Sequence, residues 1–249
     1  NLKAGDMIVL DLFSESRPQW GDPKSTWYRK EGFGQHDWIY CMLLNYGGNI
    51  GLHGKMNHVI DEFYKAKKSP FGKTLKGVGM TMEGSENNPV MFELLTELPW
   101  RAEKFDKDQW IKNYTFARYG KTNKTVQDAW ILLSNSIYNC PSENVQQGTH
   151  ESIFCARPSE HPYQVSSWSE MEDYYDPEDV IHAAAMLVSV ADQFKGINNF
   201  EYDLVDIVLH RFRRILLHHN LHVQISQLLV ILDHTEQVHE IAIVVVEDF

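Results

Sequence analysis

The chain reads as α/β plus α: the C-terminal part of a (β/α)8 TIM barrel, followed by a mostly helical region. Three observations predict this. The first hundred residues hold three continuous apolar runs, each followed by polar, acidic or Gly-rich residues. Unbroken runs of this length suit strands buried on both faces, as in a parallel sheet. Helical spacing lies between and after them, and beyond residue 105 it dominates. A closed barrel needs eight βα units, so three such units predict its last part, with the boundary at 104/105.

The elements follow in order. Met7–Phe13 is bounded by Gly5-Asp6 and by Ser14–Pro18. Trp38–Leu44 ends at Asn45-Tyr-Gly-Gly-Asn49. Gly77–Met82 is the third strand, with Met80 and Met82 alternating with smaller residues. Helices are expected over 55–66 and 89–100, with Asn87 or Asn88 as cap and Pro89 in the first turn. Asp106 starts a helix that places Trp110, Tyr114 and Ala117 on one face and stops at Gly120. Thr125 caps the next, carrying Ala129, Trp130, Leu133 and Ile137. Asp176-Pro177 starts another that stops at Lys195-Gly196, and residues 201–219 continue as helix. Trp100, Trp110 and Trp130 have the spacing of core residues. Residues 140–175 form a long connection with aromatic residues, of the kind that carries function or lacks order.

Composition narrows the classes. Lys and Arg total 23 against 34 Asp and Glu, giving a net charge of −11. An acidic chain without a basic cluster argues against nucleic acid and anionic membrane as partners. No apolar run reaches the roughly 18 residues of a membrane span. Three cysteines are too few for a disulfide scaffold. Cys41 lies in an apolar run and is expected to be buried, while Cys140 and Cys155 suit either a pair or two free thiols. The first residue, Asn1, is not an initiator Met, so a piece of a longer protein is expected.

Glu83 is the most informative residue. It ends the third run at Gly84, ahead of a helix that opens at Pro89. Barrel enzymes keep catalytic groups at the carboxyl ends of strands. Acids near a helix N-terminus also simply complement its dipole. The local pattern fits both equally.

Longer motifs break the tie. Leu10-Asp-Leu-Phe-Ser-Glu-Ser16, Tyr40-Cys-Met-Leu43, Asn45–Asn49 and Val78-Gly-Met-Thr-Met-Glu-Gly84 come first. Arg118-Tyr-Gly120, Ala129-Trp130, Tyr138-Asn-Cys140, Cys155-Ala-Arg-Pro158 and Tyr202–Asp206 follow in order. On these residues, over 5 to about 208, the chain resembles glycoside hydrolase family 89, the α-N-acetylglucosaminidases, most closely their Bacteroidetes-type members. The resemblance implies retaining, exo-acting hydrolysis of terminal α-linked N-acetylglucosamine from glycans, by two glutamates on a barrel. Glu83 aligns with the nucleophile, and the acid/base glutamate is expected upstream of residue 1. Trp168 and Tyr174 align with aromatic residues that line the sugar pocket. The family also implies a secreted or periplasmic location and a glycan substrate. It implies neither cofactor nor metal, and it leaves homo-oligomerisation open.

Other residues stand lower. Tyr40 and Asn45, near the end of the second strand, are pocket candidates. Glu15 ends the first run and is read as pocket lining or as support behind it; Glu86 is a solvated or capping acid. Asp11 needs a buried partner, for which Arg17 is the candidate. Trp20 and Trp27 are placed to rim the pocket. After Val208 the chain departs from the family, and His218 and His222 have the i, i+4 spacing of metal ligands without a third partner. Two further readings remain: a non-catalytic carbohydrate-binding fragment, and a barrel glycosidase for a different sugar.

Overall fold

The computed structural model describes residues 2–44, 51–83, 88–141 and 174–219, with 210–219 as backbone alone. Glu86, Cys155 and the side chains of His218 and His222 lie outside the described residues. The chain divides into two compact units: residues 1–107 with 138–174, and 108–137 with 175–249.

The first unit is built on a three-stranded parallel sheet. β1 (Ile8–Asp11), β2 (Asp37–Met42) and β3 (Leu75–Met80) lie in the order β1-β2-β3. Asp11 pairs with Tyr40, and Met42 with Met80, which sets the register. α1 (Met56–Lys68) crosses from β2 to β3, and α2 (Pro89–Glu97) follows β3. Parallel neighbours require such a crossover. Trp38, Tyr40 and Met42 point from one face of β2 into the core with Val59, Ile60 and Phe63 of α1. Tyr40 meets Phe63 edge-on at 5.8 Å between ring centres, and Trp38 packs against Phe33 with the rings tilted and 4.8 Å apart.

The expectation of strands buried on both faces holds for β2 alone. Ile8 and Leu10, on one face of β1, are 58% and 57% exposed, and Met80 at the end of β3 is 51% exposed. β1 has one hydrogen-bonded neighbour among the described residues, and β3 likewise. The first two apolar runs are longer than their strands, and β3 is displaced toward the N-terminus, ending at Met80 where the sequence predicts Met82. Gly79 has a packing reason: a Cβ there would stand 2.7 Å from the Cys41 sulfur on the adjacent strand.

The second unit is helical. It comprises α3 (Lys107–Tyr119), α4 (Lys124–Asn135), α5 (Pro177–Ser189) and α6 (Asn198–His219), with a 3-10 turn at Ala191–Phe194. Gly120 ends α3 with φ +70°, a left-handed turn that glycine adopts without steric cost. The cap of α4 is Asn123, whose Oδ1 accepts the Val126 N–H at 3.1 Å, not Thr125. Asp176 caps α5 as expected, accepting the Glu178 N–H at 3.0 Å. α5 ends earlier than Lys195, and Gly196 (φ +79°) closes the 3-10 segment instead.

Trp110 and Trp130 are core residues, packed through Tyr114. Trp100 is not: it ends a 3-10 turn after α2 and is 88% exposed. Helical spacing misled there because the helix stops at Glu97, before Pro99.

Candidate active site

Three loops leave the carboxyl ends of β1, β2 and β3, and hydrogen bonds join them. Beyond the strands the ladder continues: the Ser14 N–H donates to the Cys41 carbonyl at 3.0 Å, and the Thr81 N–H to the Met42 carbonyl at 3.1 Å. The Thr81 hydroxyl donates to the Leu12 carbonyl at 2.9 Å. The segment after β3 is thus tied to the ends of both other strands. Glu83 follows two residues later and is exposed.

The loop after β1 points its acids inward. Asp11 accepts from the Ser14 hydroxyl at 2.7 Å. Burial pushes its carboxyl up to about 6, opposed by the Ser14 hydroxyl and the Gln19 backbone. Ser14 takes the place expected of Arg17, whose guanidinium lies over the Trp27 ring at 4.7 Å. Glu15 is buried, and its Oε1 accepts the Leu43 and Leu44 N–H groups at 2.9 and 2.8 Å. Burial pushes its carboxyl up to about 8, against the Leu44, Glu15 and Leu43 backbone N–H groups and the charge of Lys55. Lys55 is itself buried, and its Nζ donates to the Ser16 hydroxyl at 3.4 Å.

These positions bear on two site expectations, Glu15 as pocket lining or as support behind it and Tyr40 as a pocket residue. Glu15 faces the interior, so its side chain is not part of a pocket lining. Its backbone partners lie 28 and 29 residues along the chain, beyond any local pattern. Tyr40 also has no exposed surface, because its place in β2 turns it toward α1. Trp20 is buried as well, packed at 6.2 and 6.3 Å from the Trp38 and Tyr40 rings, while Trp27 is exposed.

The loop between β2 and α1 holds further polar contacts that sequence reasoning missed. Asn88 occupies the N-cap position of α2, but its side chain makes no cap bond. Its Nδ2 donates to the Gly51 carbonyl at 3.0 Å, and its Oδ1 accepts the His53 N–H at 3.2 Å. His53 is buried, and its Nδ1 lies 2.9 Å from the Tyr174 hydroxyl. Tyr174 is half-buried at the end of the long connection. Asn45 and Trp168 lie outside the described residues. His53, set between Gly51 and Gly54, was the one available signal for this cluster.

Chemically, this end of the sheet presents an exposed carboxylate on a braced strand end. Asp11 at the end of β1 and Glu15 in the loop after it are buried and engaged. Among the described residues no group of three His, Cys, Asp or Glu could hold a metal ion. Cys41 is a buried free thiol, and Cys140 is buried.

Comparison with known proteins agrees with this layout. Residues 1–102 match the family model for the alpha-N-acetylglucosaminidase (NAGLU) tim-barrel domain, and residues 110–227 that for the NAGLU C-terminal domain. Human alpha-N-acetylglucosaminidase is 34% identical over 204 residues, covering 82% of this chain and 25% of that protein. A family 89 glycoside hydrolase from Clostridium perfringens, with two glutamates replaced by glutamine and in complex with its substrate GlcNAc-alpha-1,4-galactose, superposes with a TM-score of 0.71 at 30% identity. It is matched over 82% of this chain and 22% of its own. The same hydrolase in complex with 2-acetamido-1,2-dideoxynojirmycin gives 0.70 at 31% identity, with the same coverage. The chain therefore spans about a quarter of the human relative's length. Two family models in tandem and the ordered motifs along both units lead to one conclusion: the chain belongs to the α-N-acetylglucosaminidase family, glycoside hydrolase family 89.

Proposed function

We propose that the protein carrying this chain is a retaining, exo-acting α-N-acetylglucosaminidase, with Glu83 as its nucleophile. The observation that carries the reading is the exposed Glu83 carboxyl, on a strand end braced through Thr81. The Clostridium hydrolase supports it, since its substrate carries α-linked GlcNAc and its complex was obtained with two glutamates replaced.

Retention requires two carboxyl groups about 5–5.5 Å apart. In this reading Glu83, ionised, attacks the anomeric carbon as the glycosidic bond breaks, forming a covalent glycosyl-enzyme. A second glutamic acid protonates the leaving oxygen, then takes a proton from the water that releases the sugar. Asp11 and Glu15 are held away from that task by burial and hydrogen bonds. As the family resemblance implies, this reading takes the second carboxyl from a glutamate upstream of residue 1. Tyr174, with Trp168 and Asn45, supplies flat and polar contacts to the sugar. An exported location, secreted or periplasmic, goes with a glycan substrate, and assay of the culture fluid or periplasm tests it.

The test is Glu83→Gln in the complete polypeptide, assayed on an aryl α-N-acetylglucosaminide. Loss of turnover is expected. A panel including aryl α-glucosides distinguishes this reading from a glycosidase for another sugar. The 249-residue chain alone is expected to be inert.

A further inference from the structure

Leu44 alone among the described non-glycine residues has a left-handed backbone, at φ 59°. Such a conformation is strained for a residue with a Cβ and persists where the surroundings hold it. What holds it here is Glu15, whose Oε1 accepts the N–H groups of both Leu43 and Leu44. The first of these bonds has a second consequence. The peptide unit joining Met42 to Leu43 donates its N–H to Glu15 and accepts the Thr81 N–H at its carbonyl. One rigid plane therefore connects the Glu15 carboxyl to the backbone two residues before Glu83. The Thr81 hydroxyl then returns to the Leu12 carbonyl, on the loop that carries Glu15. The contacts form a closed ring: Glu15, the Met42–Leu43 peptide, Thr81, Leu12 and back along the chain to Glu15.

We infer that Glu15 is a positioning residue for the reaction: through the Met42–Leu43 peptide and Thr81 it fixes the strand end that bears Glu83. The inference rests on the proposed role of Glu83. Glu15 does not touch substrate, because it is buried. Its task needs an acceptor oxygen, not a negative charge. Its carboxyl retains its proton near neutrality, since burial pushes it up to about 8. An uncharged amide carbonyl of the same length serves equally.

The distinguishing signature is in kcat. A strand end that drifts by about 1 Å misplaces the nucleophile without removing a sugar contact, which lowers the rate by up to about 100-fold. In the complete polypeptide, Glu15→Ala should lower kcat by about 10- to 100-fold with KM within about threefold. Glu15→Gln should restore kcat to within about threefold of the parent. Thr81→Val, which removes the hydroxyl at nearly constant volume, should lower kcat in the same manner. It decides the matter if Glu15→Ala fails to fold. Glu83→Gln serves as the control. An active parent and an inactive Glu83→Gln, with folded Glu15→Ala or Thr81→Val at full kcat, would overturn the inference alone. So would a Glu15→Gln variant as impaired as Glu15→Ala. A parent without turnover, or an active Glu83→Gln, would reject the functional reading and the inference with it.

Discussion

The Tyr174 hydroxyl and the His53 imidazole meet at 2.9 Å, with their rings edge-on at 5.8 Å between centres. Tyr174 ends the long connection, and His53 is buried in the loop between β2 and α1. The bond anchors the end of one segment on the framework of the other. Removing a single partner leaves a buried polar group without it, which costs about 1–3 kcal/mol. Tyr174→Phe is expected to lower the unfolding free energy by that amount, read by denaturant titration. A matching loss in His53→Phe, with little further loss in the double variant, would identify the pair as the source.

Arg118 and Asp203 form a two-bond ion pair at 2.5 and 2.8 Å, and the Tyr119 hydroxyl also donates to Asp203 at 2.7 Å. Trp130 donates to the same tyrosine oxygen at 2.9 Å. The motifs Arg118-Tyr-Gly120, Ala129-Trp130 and Tyr202–Asp206 are thus one structural network in the helical unit. Breaking a buried pair by deleting one partner costs about 3–5 kcal/mol. Asp203→Ala should show a loss of that order in chemical denaturation. Arg118→Lys should be costly as well, since an ammonium cannot reproduce the paired geometry.

Stability should fall as pH rises through the neutral range. The Glu15 carboxyl is raised from 4.5 to about 8, and the Asp11 carboxyl from 3.8 to about 6. A raised carboxyl binds its proton more tightly folded than unfolded. Its contribution is therefore complete below the unfolded value and is lost as pH rises through the folded one. Each such group gives a slope of about 1.4 kcal/mol per pH unit across its window. His58, pushed below its ordinary 6.5 by burial, acts with the opposite sign beneath that value. Between pH 6.5 and 8 Glu15 should dominate the slope among these groups. Thermal unfolding across that range should steepen for the parent relative to Glu15→Gln. Parallel curves for the two would contradict the assignment.

What the sequence made legible was local. β2 was readable as a doubly covered strand because Trp38–Leu44 is apolar throughout, and Asp176-Pro177 announced its helix through cap chemistry. Glu83 reads in the sequence as the acid that ends the third strand, whereas β3 ends at Met80, three residues before it. The direction of Glu15 was not, since it depends on backbone N–H groups 28 and 29 residues distant. Asn88 looked like a cap, but tertiary partners at Gly51 and His53 claimed its side chain. Tyr40 stood at the right strand for a pocket but on the face that packs against α1. Which face a strand residue takes is decided by what covers the sheet, and a single run of apolar residues does not carry that information.

Glu83 is proposed as the nucleophile of a retaining α-N-acetylglucosaminidase. The most direct measurement is turnover of an aryl α-N-acetylglucosaminide by the complete polypeptide and by its Glu83→Gln variant, both verified as folded. The parent should hydrolyse it and the variant should lose at least about a thousandfold, as when a covalent catalyst is removed. Turnover by Glu83→Gln at the parent's rate would contradict it.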